Sequence, residues 1–320
     1  MLRSTALIAG LAVVAVAPAT AQQKSIRLSV ATGGTGGVYY PLGGGLANVL
    51  TKSIPGVEAT AEVTSGSVDN IKLIAADKAD VALTLADTAS DAYHGVAKFK
   101  QKVSVRALAV LYANKSQWVT IDGTGIAKME DLKGRRISTG APGSGTETIA
   151  LRMLEAYGIN PEKDVRREKL SVAESVNALK DKKVDAFFWS GGVPTAAVTD
   201  LAATPGTKVK LLDHANVLAI MVKNYGPLYA KGLIPAKSYP GQDKEVQVID
   251  VWNLLVVHEK MDEKLAHDIT QVVFEHKADL AAVHSEGANI DLSKQYELGS
   301  PIPFHPGAVR YFTEKGLKPK

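Results

Sequence analysis

Three consecutive runs near the start of the chain decide its fold: Ile26-Arg-Leu-Ser-Val-Ala31, Thr32-Gly-Gly-Thr-Gly-Gly37 and Val38-Tyr-Tyr-Pro41. The first run is short and rich in apolar residues, which is typical of a buried strand. The glycine-rich run predicts a tight turn, and the spacing of apolar residues after it predicts a helix to Leu50. This strand–turn–helix pattern is the unit of parallel α/β sheets.

The same unit recurs along the chain. The predicted strands after the first are 59–63, 80–85, 103–111, 136–138, 184–189 and 208–212, with two more between 246 and 257. Helical patterns separate most of them, and the Pro- and Gly-rich segment 226–241 is predicted to be a loop. This alternation predicts an α/β fold with mostly parallel sheets and helices on both faces.

We expect two lobes, one formed by residues 22–115 plus 245–320 and the other by 116–244. In open α/β sheets, ligands bind beyond the carboxyl ends of the strands. Two such sheets that face each other would form a cleft able to close on a small molecule.

Composition restricts the classes of function. The chain has 320 residues, of which 46% are hydrophobic and 22% charged, as in a folded globular protein. The sequence contains no cysteine, which excludes thiolate metal sites, iron–sulfur clusters and cysteine nucleophiles. The formal net charge of +4 and the 6% aromatic content are too low to indicate a nucleic-acid partner.

The first 21 residues have the pattern of a cleaved signal peptide. Arg3 precedes an apolar stretch at 6–17, and Ala19-Thr-Ala21 is a small-x-small cleavage site. A membrane-spanning helix needs about 20 apolar residues, so an uncleaved anchor is the less favoured alternative. We expect a soluble periplasmic protein that begins at Gln22.

Four turns rich in glycine, serine and threonine lie at strand-to-helix junctions, at residues 32–39, 64–70, 140–146 and 189–192. Each helix that follows begins with unpaired backbone N–H groups and a partial positive charge. Glycines let the backbone approach a ligand, and hydroxyl groups add donors. The four turns together predict an anion-binding site that needs no arginine. The alternative is that each turn only caps its helix.

Enzyme and cofactor motifs are not found. No stretch matches the phosphate-binding loop, and both Gly-x-Gly sequences lack the third small residue of a dinucleotide motif. Ser144 lacks the glycines of a nucleophile elbow, and the seven histidines form no ligand set with metal-site spacing. We therefore expect no enzyme activity, no cofactor and no metal.

The same turns carry a resemblance to a known family. Gly33-Gly-Thr-Gly-Gly-Val-Tyr-Tyr-Pro41 resembles the opening motif of TAXI-family solute receptors, the extracytoplasmic component of one class of TRAP transporters. The resemblance continues in order through Thr64-Ser-Gly-Ser-Val-Asp-Asn-Ile71, Ala79-Asp-Val-Ala-Leu83, Gly140-Ala-Pro-Gly-Ser-Gly-Thr-Glu147, Asp185-Ala-Phe-Phe-Trp-Ser-Gly-Gly-Val-Pro194 and His305-Pro-Gly-Ala308.

This resemblance implies a two-lobed periplasmic binding protein of type II that holds its ligand between the lobes. It implies a small carboxylate ligand, such as glutamate or 2-oxoglutarate, and delivery to the membrane subunits of a TRAP permease. We expect the receptor to be a monomer. The implied ligand contacts are Thr35, Gly36, Tyr39, Ser65, Ser67, Val68, Asn70, Ser144, Gly145, Thr146, Trp189, Ser190 and Gly191, with Asp87 as a partner for a ligand amine.

Other functions stay open at this point. A binding protein of an ABC importer would share the fold, and so would a sensor that presents its closed form to a membrane kinase. A secreted hydrolase is a further alternative, although no nucleophile motif supports it. The sequence does not identify the ligand.

Overall fold

The computed structural model describes residues 25–318, and the predicted signal peptide lies outside them. The strands in these residues are β1 (Ile26–Ala31), β2 (Val57–Glu62), β3 (Val81–Leu85), β4 (Val105–Ile121), β5 (Arg136–Ser138), β6 (Arg166–Glu168), β7 (Ala186–Gly191), β8 (Val209–Leu211), β9 (Tyr229–Ile234) and β10 (Val246–His258). The α-helices are α1 (Tyr39–Ser53), α2 (Ser67–Ala75), α3 (Ala86–His94), α4 (Gly145–Ala156), α5 (Val172–Lys180), α6 (Ala196–Ala203), α7 (Leu218–Tyr225), α8 (Glu263–Glu275), α9 (Lys277–Val283), α10 (Gln295–Leu298) and α11 (Pro306–Glu314).

These strands form one mixed sheet. Its neighbours run in the order β2, β1, β3, β10, β4, β7, β5 and β6, while β8 pairs with β4 and β9 pairs with β10. β1 is parallel to β2 and β3, and β5 is parallel to β6 and β7. The two long strands, β4 and β10, are antiparallel to each other and to all their other partners.

The long strands connect two halves of the sheet. At Lys115, β4 pairs with Asp250 of β10 on one side and with Gly191 of β7 on the other. Each half carries a buried apolar cluster on both faces. Val81 and Leu83 belong to one cluster and Ala82 to the other, because successive strand residues point to opposite faces. We propose that the two lobes meet here, near the expected limits of 22–115 plus 245–320 and 116–244.

Three predicted segments differ from the structure. The strand that begins near Val105 continues to Ile121, and the region predicted as two strands is the single strand β10, with a shift in pairing between Trp252 and Leu254. The predicted loop 226–241 contains β9. Only Tyr229, Gly232 and Ile234 of β9 are buried, so its apolar pattern was too weak to show in the sequence.

Side-chain caps begin several helices. The Ser144 hydroxyl accepts a hydrogen bond from Glu147 N–H at the start of α4, and Asp262 accepts one from Leu265 N–H at the start of α8. In residues 25–318, no helix is both long enough and apolar enough to span a membrane.

Candidate functional site

A cavity of about 520 Å³ lies between the two halves of the molecule. Its wall is built from the turns that precede α1, α2, α4 and α5, together with the end of β7. The predicted contacts found in this wall are Thr35, Gly36, Tyr39, Ser65, Ser67, Ser144, Gly145, Thr146, Trp189, Ser190 and Gly191. The glycine, serine and threonine turns of the two halves therefore line one cavity.

The two halves touch at one side of the cavity through the starts of α2 and α4. The N–H group of Asp69 donates a hydrogen bond of 3.0 Å to the carbonyl oxygen of Gly143. A β-carbon placed on Gly66 would lie 3.7 Å from Ser144, in ordinary van der Waals contact.

A second contact between the halves involves the glycine turn after β1. The N–H group of Ala197 donates to the carbonyl oxygen of Gly36 at 3.3 Å. A β-carbon on Gly37 would lie 2.9 Å from the ring of Trp189, so the indole packs directly on this glycine. Both contacts join the two halves of the sheet across the cavity.

Four backbone donors at the starts of α2 and α4 have no hydrogen-bond partner in the described part of the chain. They are the N–H groups of Ser67, Val68, Gly145 and Thr146. All four residues are buried, and buried N–H groups without partners are rare. The two helix dipoles add partial positive charge at the same place. We call this region the polar end of the cavity, and an anion is the ligand that it suits.

The Thr146 side chain adds a hydroxyl to the polar end. Thr146 is 5% exposed and lies in the cavity wall, and its hydroxyl has no partner among residues 25–318. It can therefore donate to a ligand oxygen without losing a bond inside the protein.

One charged side chain, Glu174, is in the described cavity wall. Its carboxylate accepts a 2.9 Å hydrogen bond from Ser171 N–H, and the Ser171 hydroxyl accepts one from Glu174 N–H, which together form a capping box at the start of α5. The wall residues that the structure describes include no arginine, lysine or histidine. Positive potential in the cavity therefore comes from backbone dipoles.

Three large aromatic side chains line the cavity. The buried Tyr112 hydroxyl has no partner among the described residues, whereas the polar atoms of Tyr39 and Trp189 are already bonded within the protein. The Tyr39 hydroxyl donates to Asn253 Oδ1 at 2.5 Å, and burial raises the pKa of Tyr39 well above its usual value. The indole N–H of Trp189 donates to Thr195 Oγ1 at 2.9 Å. Both rings therefore offer carbon surface to the cavity.

Several wall residues were not predicted from the sequence. Tyr112 and Asn114 lie in the middle of β4, and they reach the wall because this strand continues past the predicted end at residue 111. Residues 171–174 form the start of α5. Ser171 was recognisable as a helix cap, but the turn before it has no glycine to suggest a ligand site.

Three predicted contacts have side chains that lie behind the wall rather than in it, although the N–H group of Val68 belongs to the polar end. Val68 packs its side chain in an apolar cluster. The Asn70 amide donates to the carbonyl oxygens of Thr32 and Leu83, each at 2.7 Å, and so braces two of the turns. Asp87 is fully buried and bound within the protein, which corrects the expectation that it faces a ligand amine.

The partner of Asp87 is an arginine that the sequence did not reveal. Arg152 of α4 contacts Asp87 at 3.2 Å and Asp91 at 2.6 Å, and its guanidinium lies 4.5 Å from the ring centre of Tyr225. The Tyr229 hydroxyl donates to Asp87 at 2.7 Å. Burial is the main reason that the pKa of Asp91 is raised to about 6. This cluster ties α3 to α4 behind the polar end.

Comparison with known proteins gives a family and a fold. The model of the NMT1-like family matches residues 30–316. Among solved structures, the chain is similar to the alkanesulfonate-binding protein SsuA from Xanthomonas axonopodis pv. citri bound to MOPS, with 14% identity, a TM-score of 0.51, and 91% of this chain and 84% of that chain covered. It is also similar to a structure from work on glutathione import via GshT and the cystine ABC importer TcyBC of Streptococcus mutans. The identity is 13% and the TM-score 0.51, and the alignment covers 88% of this chain and 99% of that chain. These likenesses confirm the predicted α/β fold of type II periplasmic binding proteins.

Proposed function

This chain belongs to the NMT1-like family, and on that premise we propose that it is an extracytoplasmic solute-binding protein. It would capture an organic anion in the cavity and deliver it to a membrane importer. The observation that carries this proposal is the polar end, where four backbone N–H groups from both halves lack partners within the described residues.

Closure of the cleft is the proposed mechanism. An anion would first meet the helix start of one half, and closing would add the donors of the other half and expel water. Each hydrogen bond to a charged group contributes about 1.5–3 kcal/mol. Several such hydrogen bonds together offset an association cost that is about 4–15 kcal/mol. The ligand would then shift the population toward the closed form that an importer recognises.

For the importer, we propose one of the ABC type. The support is the similarity to SsuA and to the structure from work on a cystine ABC importer. The TRAP permease remains the second candidate, because the motifs from Gly33 to Ala308 resemble TAXI receptors. Co-purification of the mature protein with the products of neighbouring permease genes would distinguish an ATP-dependent importer from an ion-driven one.

A periplasmic location and a role in binding rather than catalysis belong to the same proposal. The support for the location is the signal-peptide pattern at residues 1–21. Mass spectrometry of small molecules released from the purified, denatured protein would identify the captured solute.

The Thr146 hydroxyl provides a direct test of the site. We expect Thr146→Val to weaken binding of the released solute about tenfold, the equivalent of one hydrogen bond, with little change in stability. Thr148→Val is the matched control, because Thr148 is on the same helix and its buried hydroxyl has no partner but lies outside the cavity wall. Isothermal titration calorimetry measures both. Equal affinities for the two variants would show that the Thr146 hydroxyl does not contact the solute.

A further inference from the structure

Many polar side-chain groups in the cavity wall are bonded within the protein, whereas the buried Tyr112 hydroxyl has no partner in the described chain. At the polar end, backbone N–H groups and the Thr146 hydroxyl have no partners in the described chain. Elsewhere, the polar atoms of Tyr39 and Trp189 are bonded to Asn253 and Thr195. The Thr64 hydroxyl donates to Asn70 at 2.6 Å, and the Asn114 amide donates to the carbonyl oxygen of Ser190 at 3.2 Å. Away from the polar end, much of the wall is therefore carbon surface.

Trp189 is held rigidly in this wall. Its indole N–H is bonded to Thr195 Oγ1, and Thr195 in turn donates to the carbonyl oxygen of Gly192 at 2.6 Å. Gly37 of the other half packs against the ring, where a β-carbon would lie 2.9 Å away. Closure thus brings a fixed aromatic surface to the cavity, with no polar atom of the ring left to bind the solute.

The charges in the wall indicate how many acid groups the solute carries. The polar end provides unpartnered donors for one anionic head. At the start of α5, the Glu174 carboxylate, although exposed, adds negative charge to the first turn and so disfavours a second anion there. A second buried acid group with no cationic partner would carry a large desolvation cost.

The volume indicates the size of the solute. The cavity volume is about 520 Å³. Cavities of this size accommodate drug-sized ligands. An acid of four to six carbon atoms would fill only part of it and leave apolar wall without contacts.

We infer that the solute is an organic monoanion with one carboxylate or sulfonate head at the polar end and a flat apolar body against Trp189. This inference rests on the proposed function and names the class of solute for the same cavity. It differs from the dicarboxylates that the motif resemblance implies.

Calorimetric titration of two probe series tests the inference. The small series is acetate, glutamate and 2-oxoglutarate, and the aromatic series is phenylacetate, 3-phenylpropanoate and benzenesulfonate. We expect the aromatic series to bind at least tenfold more tightly. Trp189→Leu should weaken the aromatic series at least tenfold and the small series less than threefold. Trp252→Leu is the control, because Trp252 is outside the described cavity wall and packs against an apolar cluster.

The outcomes separate the two proposals. Tighter binding of glutamate or 2-oxoglutarate than of every aromatic acid would overturn the inference and leave solute binding intact. Equal loss of aromatic affinity in Trp189→Leu and Trp252→Leu would also overturn it. If no anion of either series binds, the inference fails, and the proposed function fails with it if no solute is released from the purified protein either.

Discussion

At the scale of single residues, His214 shows how burial sets a protonation state. It is fully buried between two backbone groups: Nδ1 lies 2.9 Å from the carbonyl oxygen of Leu212, and Nε2 lies 3.3 Å from the N–H of Ile249. This arrangement requires a neutral ring that donates at Nδ1 and accepts at Nε2. Burial lowers the pKa of His214 from 6.5 to about 4.

The lowered pKa predicts how stability depends on pH. Between pH 6.5 and 4 the unfolded chain binds a proton at this histidine and the folded chain does not, so the free energy of unfolding falls as pH falls. The contribution approaches about 1.4 kcal/mol per pH unit in that window and is fully present above pH 6.5. Urea denaturation at pH 7, 6 and 5 measures this change in the free energy of unfolding.

His214→Asn is the comparison for this measurement, because its amide can still donate to Leu212 and does not titrate. We expect the variant to be less stable at pH 7 but to lose less stability on acidification. Parallel pH profiles for the parent and the variant would show that the pKa of His214 is the same in the folded and unfolded protein, against the prediction.

At the scale of secondary-structure elements, Arg152 joins α3 and α4. Its guanidinium is 9% exposed and faces Asp87, whose side chain is fully buried. Both helices begin at the cavity, since Leu85 directly precedes α3 and Gly145 starts α4. The ion pairs therefore hold two elements of the site in a fixed relation.

Removing the Arg152 side chain should lower the free energy of unfolding. Arg152→Met leaves the Asp87 carboxylate buried with no cationic partner, and we expect a loss of about 3–5 kcal/mol in the free energy of unfolding. Arg310→Met is the matched control, because Arg310 is 43% exposed and pairs with Glu263 and Glu314 at the surface. That control should cost less than about 1 kcal/mol. Chemical denaturation at pH 7 measures the free energy of unfolding of both variants. If Arg152→Met were no more destabilising than Arg310→Met, the buried ion pairs would contribute little to stability.

At the scale of the whole molecule, the proposed closure depends on close contact between the halves. Gly143 has φ of +80° and its carbonyl accepts from Asp69 N–H. A β-carbon at this position would collide with the Asp69 carboxylate of the other half. A side chain at residue 143 should therefore oppose the closed form.

Gly143→Ala tests this coupling. We expect it to weaken solute binding and to reduce the compaction that solute causes in small-angle X-ray scattering. Gly158→Ala is the matched control, because Gly158 has φ of +66° with no atom within 4 Å of an added β-carbon. Both variants carry similar backbone strain, so their stabilities should fall similarly. If Gly158→Ala lost as much affinity as Gly143→Ala, backbone strain rather than blocked closure would explain the effect.

Local patterns in the sequence were sufficient to predict much of the cavity wall. The turns at Thr32, Thr64 and Gly140 could be located because glycine and hydroxyl residues that follow a strand mark a turn. Asp87 could not be placed, because its partner Arg152 is 65 positions away and lies in an ordinary helical pattern. Asn70 could not be placed either, because its side-chain amide braces carbonyl groups from two other segments.

The sequence by itself determined the alternation of strands and helices and the identity of most wall residues, since both depend on residues that are neighbours in the chain. Only the tertiary structure decided that β4 and β10 each continue through both halves, which brings Tyr112 and Asn114 into the wall. It also decided which polar groups remain without partners. A hydrogen bond such as that from Trp189 to Thr195 depends on where the folded backbone places both groups, and residue types alone do not specify that position.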